Sequence, residues 1–199
     1  MNAEKNSYIG QAWLVIVLGV LFGAALAGVH AGLAPKIEQN RLNDTLAQIP
    51  QLVPGAARGE LIVGSAPITY RALDAGGDPI GWVLLASGQG FADRIQLLVG
   101  LDRDATRITG LYVLQQNETP GLGNRVTELR FRDQFKGVPA ARAIRLVKGR
   151  SAGEGEVEAV TGATVSSQSV VAIVNAAVER FRQRGTEIGE QGSDENIRQ

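Results

Sequence analysis

An apolar run without a single charged side chain limits what this chain can fold into more than any other feature. The run extends from Tyr8 to Val29, inside a longer uncharged segment from Asn6 to Pro35. At about 1.5 Å per residue, a helix of that length crosses a hydrocarbon core of roughly 30 Å. We therefore predict one transmembrane helix at about residues 8–29, within an N-terminal segment of residues 1–35.

A cleaved secretory signal is the alternative interpretation of the same run. The small residues at Ala25-Leu26-Ala27 are typical of a cleavage site. The apolar run is longer than the roughly 7–15 residues of a signal core, which favours a retained anchor in the lipid bilayer. The flanking charges do not determine its orientation, because Lys5 is offset by Glu4.

Composition excludes several classes of function. Lys plus Arg number 20 and so do Asp plus Glu, so the chain lacks the basic excess that nucleic-acid binding requires. The sequence has no cysteine and one histidine, His30, which excludes thiolate-bound iron–sulfur clusters and most zinc and haem sites. We expect no metal site and no nucleic-acid partner, so any redox role requires an organic cofactor.

The rest of the chain predicts one α+β domain. Apolar spacing indicates a juxtamembrane helix from Lys36 to Ile49, ended by Pro50, within a linker of residues 36–58. Five short β-like runs separated by Gly, Pro, Asp and Ser then predict a mostly antiparallel sheet. These runs are Glu60 to Val63, Ile68 to Ala72, Ile80 to Ala86, Arg94 to Leu101 and Arg107 to Leu114.

Helices are expected to pack on this sheet. Asn124 to Phe135 has the apolar spacing of a helix, Ala143 to Val147 of a strand, and Ser167 to Arg182 of an amphipathic helix. Strand runs followed by helices are typical of an α+β layer fold. We place the domain at residues 59–182 and a polar, mobile tail at residues 183–199.

The segment from Glu158 to Ser167 is the most informative part of the sequence. Because it enters a helix, one interpretation is an N-cap in which Ser166 or Ser167 accepts a hydrogen bond from a first-turn amide. Another is that Gly162-Ala163, which have almost no side chain, leave the Thr164 hydroxyl open to a bulky partner. The free amides at a helix N-terminus also suit a phosphate.

Thr161-Gly162-Ala163-Thr164, with the acidic Glu158 six positions before the last threonine, resembles the flavinylation motif of the FMN-binding domain in membrane redox complexes. The resemblance implies that a flavin transferase uses FAD, releases AMP and leaves FMN joined through its phosphate to Thr164. The family usually has Asp where this chain has Glu158, which the transferase would recognise. The added methylene keeps the charge.

A second segment, Glu118 to Gly123, resembles the ETPGLG sequence that borders the flavin in the same family, although a Pro-Gly turn alone would explain part of it. Gly88-Gln89-Gly90-Phe91 is a weaker similarity, since the family often has Tyr at the last position. Lys148 and Arg150 are possible partners of a phosphate or reduced flavin, or else solvated surface charges.

The motifs most resemble the G subunit of the Rnf-type ion-translocating electron transport complex. The resemblance implies an electron-transfer subunit with covalent FMN, linked to ferredoxin and NAD, that is no catalyst alone. Its domain would be periplasmic on a single-pass protein of the bacterial inner membrane, beside the other membrane subunits. Alternatives are the C subunit of the sodium-translocating NADH:quinone reductase, a stand-alone flavinylated carrier, or a membrane-tethered scaffold without flavin. The expected cofactor-binding residues are Thr164, Thr161, Gly162, Ala163, Glu118, Thr119 and Leu122.

Overall fold

The computed structural model describes the backbone of residues 3–195, and the side chains of residues 13–184 except residue 38. The chain divides into two compact units, with the division between Asp44 and Thr45. Helix α1 runs without interruption from Ala3 to Leu52. The predicted separation of an anchor from a juxtamembrane helix is therefore wrong.

Pro50, which lies within α1, explains part of that error. A proline inside a helix removes one backbone hydrogen bond and costs about 3 kcal/mol, which is why the helix was expected to end at Pro50. After Pro50, Leu52 and Val53 are buried in the core beside Ile49, and this packing keeps the last turn helical. From Trp13 onward the helix is long and apolar enough to cross a membrane by length and composition. Its large apolar side chains there are exposed.

The second unit contains an antiparallel sheet of five strands in the order β1-β2-β3-β4-β5, which confirms the predicted antiparallel sheet. Gly, Pro and Asp in the connections set the strand limits close to the predicted ones. The strands are β1 Arg58–Ile62, β2 Ile68–Leu73, β3 Pro79–Gln89, β4 Arg94–Asp102 and β5 Ile108–Gln115.

Both faces of the sheet are covered, since alternate side chains of a strand point to opposite faces. On one face, Leu84 and Leu97 join a large core completed by Val174 of the last helix. On the other face, Val83 and Leu98 pack with Ile49 and its neighbours at the end of α1. Residues from Thr45 onward thus belong to the folded domain.

The segment between β5 and the last helix departs from its prediction. The helix expected from Asn124 to Phe135 is three short pieces, because Glu128 is extended and interrupts it. The interruption turns the chain so that Val126 before it and Phe131 after it are both buried, which one helix would not allow for residues five apart. The pieces are a 3-10 helix Gly123–Thr127, α2 Leu129–Arg132 and a 3-10 helix Asp133–Phe135.

Two further elements complete the domain. The strand expected near Ala143 is β6 Arg145–Val147, which pairs in parallel with β7 Glu156–Glu158 in a separate two-stranded sheet. Helix α3 spans Thr164–Glu195, so it begins before Ser167 and continues past Arg182. Residues 196–199 lie outside the described part, and the mobility of the tail stays a prediction.

Candidate cofactor site at the start of the last helix

The two segments singled out in the sequence meet at a cavity of about 360 Å³. One wall comes from the loop after β5 and the other from the turn that enters α3, while the tip of the β3–β4 turn contributes a third side. The cavity is lined by Phe91, Thr119, Leu122, Gly123, Gly162, Ala163, Thr164, Val165 and Ser166. Five of the seven expected cofactor-binding residues, Thr119, Leu122, Gly162, Ala163 and Thr164, therefore lie at one site.

Thr164 is the first residue of α3 and is partly exposed in this cavity. The turn before it depends on Gly162, whose φ of 83° is unfavourable for residues with a side chain. A Cβ at Gly162 would also lie 3.3 Å from Leu122 Cδ2, so the two segments approach closely here. The small residue keeps the approach to the Thr164 hydroxyl open, and the first amides of the helix lie beside it.

Neither Ser166 nor Ser167 is an N-cap, because both lie inside the first turn of α3. The Ser166 hydroxyl donates a hydrogen bond of 2.5 Å to Glu118 Oε2. The Ser167 hydroxyl accepts one of 3.1 Å from the backbone N–H of Val160. These serines therefore attach the start of the helix to the neighbouring segments.

Glu118 lies behind the cavity wall and is only 4% exposed. Besides Ser166, its carboxylate accepts a hydrogen bond of 3.1 Å from the backbone N–H of Ala92, in the β3–β4 turn. One side chain thus links all three segments around the cavity. Glu118 was expected beside a flavin. In the structure it does not line the cavity itself, but lies behind residues that do.

The rim of the cavity is apolar. Phe91 is 66% exposed, Leu122 50% and Val165 53%, which is unusual for large apolar side chains grouped around one hydroxyl. A flat aromatic ligand would cover such a rim, while the start of α3 provides amides for an attached phosphate. The residues present therefore fit a flavin phosphate.

Lys148 and Arg150 do not line this cavity. Arg150 pairs with Glu156 at 2.7 Å, and Arg145 approaches the same carboxylate at 3.1 Å. The Arg150 hydrogen bond, helped by the backbone N–H of Gly153, lowers the pKa of Glu156 to about 2. Arg150 is therefore engaged in an ion pair outside the cavity, and Lys148 is exposed.

Glu158 and Thr161 lie outside the cavity, on a small cleft of about 100 Å³ shared with Arg125. The side chain of Gln134 fixes the Glu158 backbone, accepting from its N–H at 2.6 Å and donating to its carbonyl at 3.2 Å. Arg125 Nη1 donates to the Thr161 carbonyl at 3.0 Å. Arg125 and Gln134 were not foreseen, because their partners are distant in the sequence.

Comparison with known proteins agrees with this geometry. Residues 90–179 match the FMN-binding domain family. The crystal structure of Shewanella oneidensis NqrC is similar, with a TM-score of 0.51 and 25% identity, covering 61% of this chain and 64% of that one. The cavity therefore belongs to an FMN-binding domain, and the protein is a flavoprotein.

Relatives over nearly the full length define the family more narrowly. Over 173 residues the chain is 31% identical to the G subunit of the ion-translocating oxidoreductase complex of Methanosarcina acetivorans, covering 83% of this chain and 89% of the relative. It is 29% identical over 182 residues to the G subunit of the proton-translocating ferredoxin:NAD(+) oxidoreductase complex of Clostridium ljungdahlii, covering 90% and 94%. The chain belongs to the family of G subunits of ion-translocating oxidoreductase complexes. With its apolar helix α1, it is a membrane-anchored electron-transfer subunit.

Proposed function

We propose that this protein carries FMN covalently on Thr164, through a phosphodiester between the threonine hydroxyl and the flavin phosphate. One observation carries the proposal: Thr164, the first residue of α3, is partly exposed in a cavity that both motif segments line. A covalently held cofactor is not lost by dilution from a domain that works outside the membrane.

The attachment reaction needs no activating base from this chain. The Thr164 oxygen forms a bond to the FMN-side phosphorus of FAD, the pyrophosphate P–O bond breaks, and AMP leaves. The hydroxyl proton passes to a base of the flavin transferase. This chain needs only to present the hydroxyl, which its place at the cavity and the small residues before it allow.

Different residues would then hold the two parts of the cofactor. The first amides of α3 would bind the phosphate, and the exposed apolar surfaces of Phe91 and Leu122 would contact the ring. Glu158, held by Gln134 near the attachment turn, would be a recognition point for the transferase. When bound, the flavin supplies electron exchange with both one-electron and two-electron partners.

The partners follow from the family. Relatives are named as members of complexes that couple ferredoxin and NAD(+) to sodium or proton translocation. We assign this chain the same place, with its domain on the periplasmic side of a bacterial inner membrane. It would pass electrons between neighbouring membrane subunits and would not transform a substrate alone.

Coexpression with a flavin transferase tests the attachment. A denaturing gel under ultraviolet light should show flavin fluorescence at the band of this chain, and Thr164→Ala should abolish it. Thr161→Ala is the matched control, because it removes an exposed hydroxyl from the same motif outside the cavity and should stay fluorescent. Fluorescence that persists in Thr164→Ala would place the attachment elsewhere.

A reporter fused after Gln199 tests the orientation. An enzyme that is active only in the periplasm should be active in this fusion. Activity of a cytoplasm-specific reporter at the same position would refute the periplasmic placement. Copurification of the native complex distinguishes the ferredoxin-linked type from a quinone reductase, through the other proteins recovered with this chain.

A further inference from the structure

Glu118 is a buried carboxylate separated from the cavity by a single layer of atoms. Ser166, which donates to it, and Gly123, which approaches it, both line the cavity. A Cβ at Gly123 would lie 2.7 Å from Glu118 Oε2, and one at Gly90 would overlap Oε1. The two glycines therefore enclose the carboxylate between the loop after β5 and the β3–β4 turn.

Hydrogen-bond donors surround the Glu118 carboxylate. Its oxygens accept hydrogen bonds from the Ser166 hydroxyl, from the Ala92 N–H and, at 3.5 Å, from the Asp93 N–H. An ionised carboxylate only accepts, so three donors match that form. The ion pairs of Arg125, Lys136, Arg145 and Arg150 are made with other carboxylates, those of Glu128, Asp133 and Glu156. The Glu118 carboxylate is therefore held in place by these three hydrogen-bond donors.

A fixed negative charge at this place affects electron uptake. Each electron accepted in the cavity adds one negative charge there, unless a proton is taken up with it. Repulsion between like charges is strong where protein rather than water separates them. The carboxylate of Asp93 is exposed, so solvent and salt screen it more than the buried Glu118.

We propose that the buried carboxylate of Glu118 lowers the reduction potential of the flavin held at Thr164. This inference rests on the proposed function, since it requires flavin in the cavity. The side chain touches neither the attachment oxygen nor the cavity surface, so its influence on the potential is electrostatic.

Glu118→Gln is the test variant, because the amide has the same shape without the charge. Its oxygen still accepts from the Ala92 N–H, and the Ser166 hydroxyl rotates to accept from the new NH₂ group. The full-length chain is flavinylated by coexpression, purified in detergent and titrated by spectroelectrochemistry. The midpoint potential of Glu118→Gln should shift to a more positive value than that of the unaltered chain.

Glu156→Gln is the matched control. It also removes a buried carboxylate, but from a residue that does not line the cavity. Its potential should equal that of the unaltered chain. Equal potentials for Glu118→Gln and the unaltered chain would overturn the proposal, and so would an equal shift in Glu156→Gln, which would show a general effect of charge.

A second variant is used if the Glu118→Gln protein does not fold or does not accept flavin. Ser166→Ala removes an O–H dipole whose positive end lies beside the carboxylate, so the negative charge acts on the flavin with less compensation and the potential should shift to a more negative value. An unchanged potential in Ser166→Ala overturns the proposal in that case. Failure of the proposed function is distinct, because the unaltered chain would then show no covalent fluorescence before any titration, and that result overturns both proposals.

Discussion

Replacing Gly123 with alanine probes how tightly the wall of the cavity is closed. The added Cβ would lie 2.6 Å from Ser166 Oγ and 2.7 Å from Glu118 Oε2, closer than real Cβ atoms come to such neighbours. Ser166 is 2% exposed and Glu118 is 4% exposed, so neither side chain can move into solvent. The Gly123→Ala side chain can be accommodated only by separating the two.

The cost follows from that separation. A hydrogen bond to a charged group contributes about 1.5–3 kcal/mol, and overpacking a closed site typically costs about 1–3 kcal/mol. One displacement both relieves the clash and breaks the bond, so the two costs overlap and we expect about 3 kcal/mol in total. For a folded unit of this size, the melting temperature should fall by about 6–12 °C.

Gly121→Ala is the matched control in the same loop. Gly121 has a φ of 74°, but its Cβ would have nothing within 4 Å. The substitution should therefore cost only backbone strain of about 1 kcal/mol. Thermal unfolding of both detergent-solubilised full-length variants, followed by tryptophan fluorescence, compares the two. A loss for Gly123→Ala no greater than that for Gly121→Ala would refute the close packing around Glu118.

Two further predictions concern regions away from the cavity. The folded state lowers the pKa of Glu156 from 4.5 to about 2, so its stabilising pairing is fully present above about pH 4.5 and is lost as the pH falls toward 2. Arg150→Ala should therefore make stability less sensitive to acid over this range in urea titrations, and an unchanged pH dependence would contradict the pairing. In α1, Val20→Arg places a charge within the apolar run at a cost of about 2.5–3.5 kcal/mol, so less chain should remain in membranes after alkaline extraction than for Val20→Leu. Equal retention of the two would argue against a spanning helix.

Local patterns in the sequence were sufficient to predict much of the fold. The strands of the sheet were expected because runs of alternating apolar residues, separated by Gly, Pro and Asp, are typical of β-strands. The two motifs were expected to lie at one cofactor because both resemble the same family, and the structure brings Leu122 and Thr164 together at one cavity.

Features that depend on distant residues were missed. Glu118 and Ser166 are 48 positions apart, so no local sequence pattern predicts the hydrogen bond between them. The break at Glu128 lets Val126 before it and Phe131 after it both reach the core, although five residues apart they would lie on different faces of one helix. Likewise, α1 passes Pro50 because the packing of its last turn offsets the lost backbone hydrogen bond.

The pairing of Arg150 is a third example. Its charge and its place before a glycine turn suited a phosphate partner, but the partner it uses is Glu156 on β7. That strand is only Glu156–Glu158, too short for a periodic signal, and it is formed by pairing with β6. The sequence therefore indicated a free cation where the fold contains an ion pair.

The intact mass of this chain, purified from its native membrane, tests the covalent flavin on Thr164 most directly. We predict the mass of the sequence with α1 retained, increased by one FMN less one water, and we predict that this increase is absent in Thr164→Ala. A chain that has the unmodified mass, or a Thr164→Ala variant that still has the added mass, would contradict the covalent attachment at this residue.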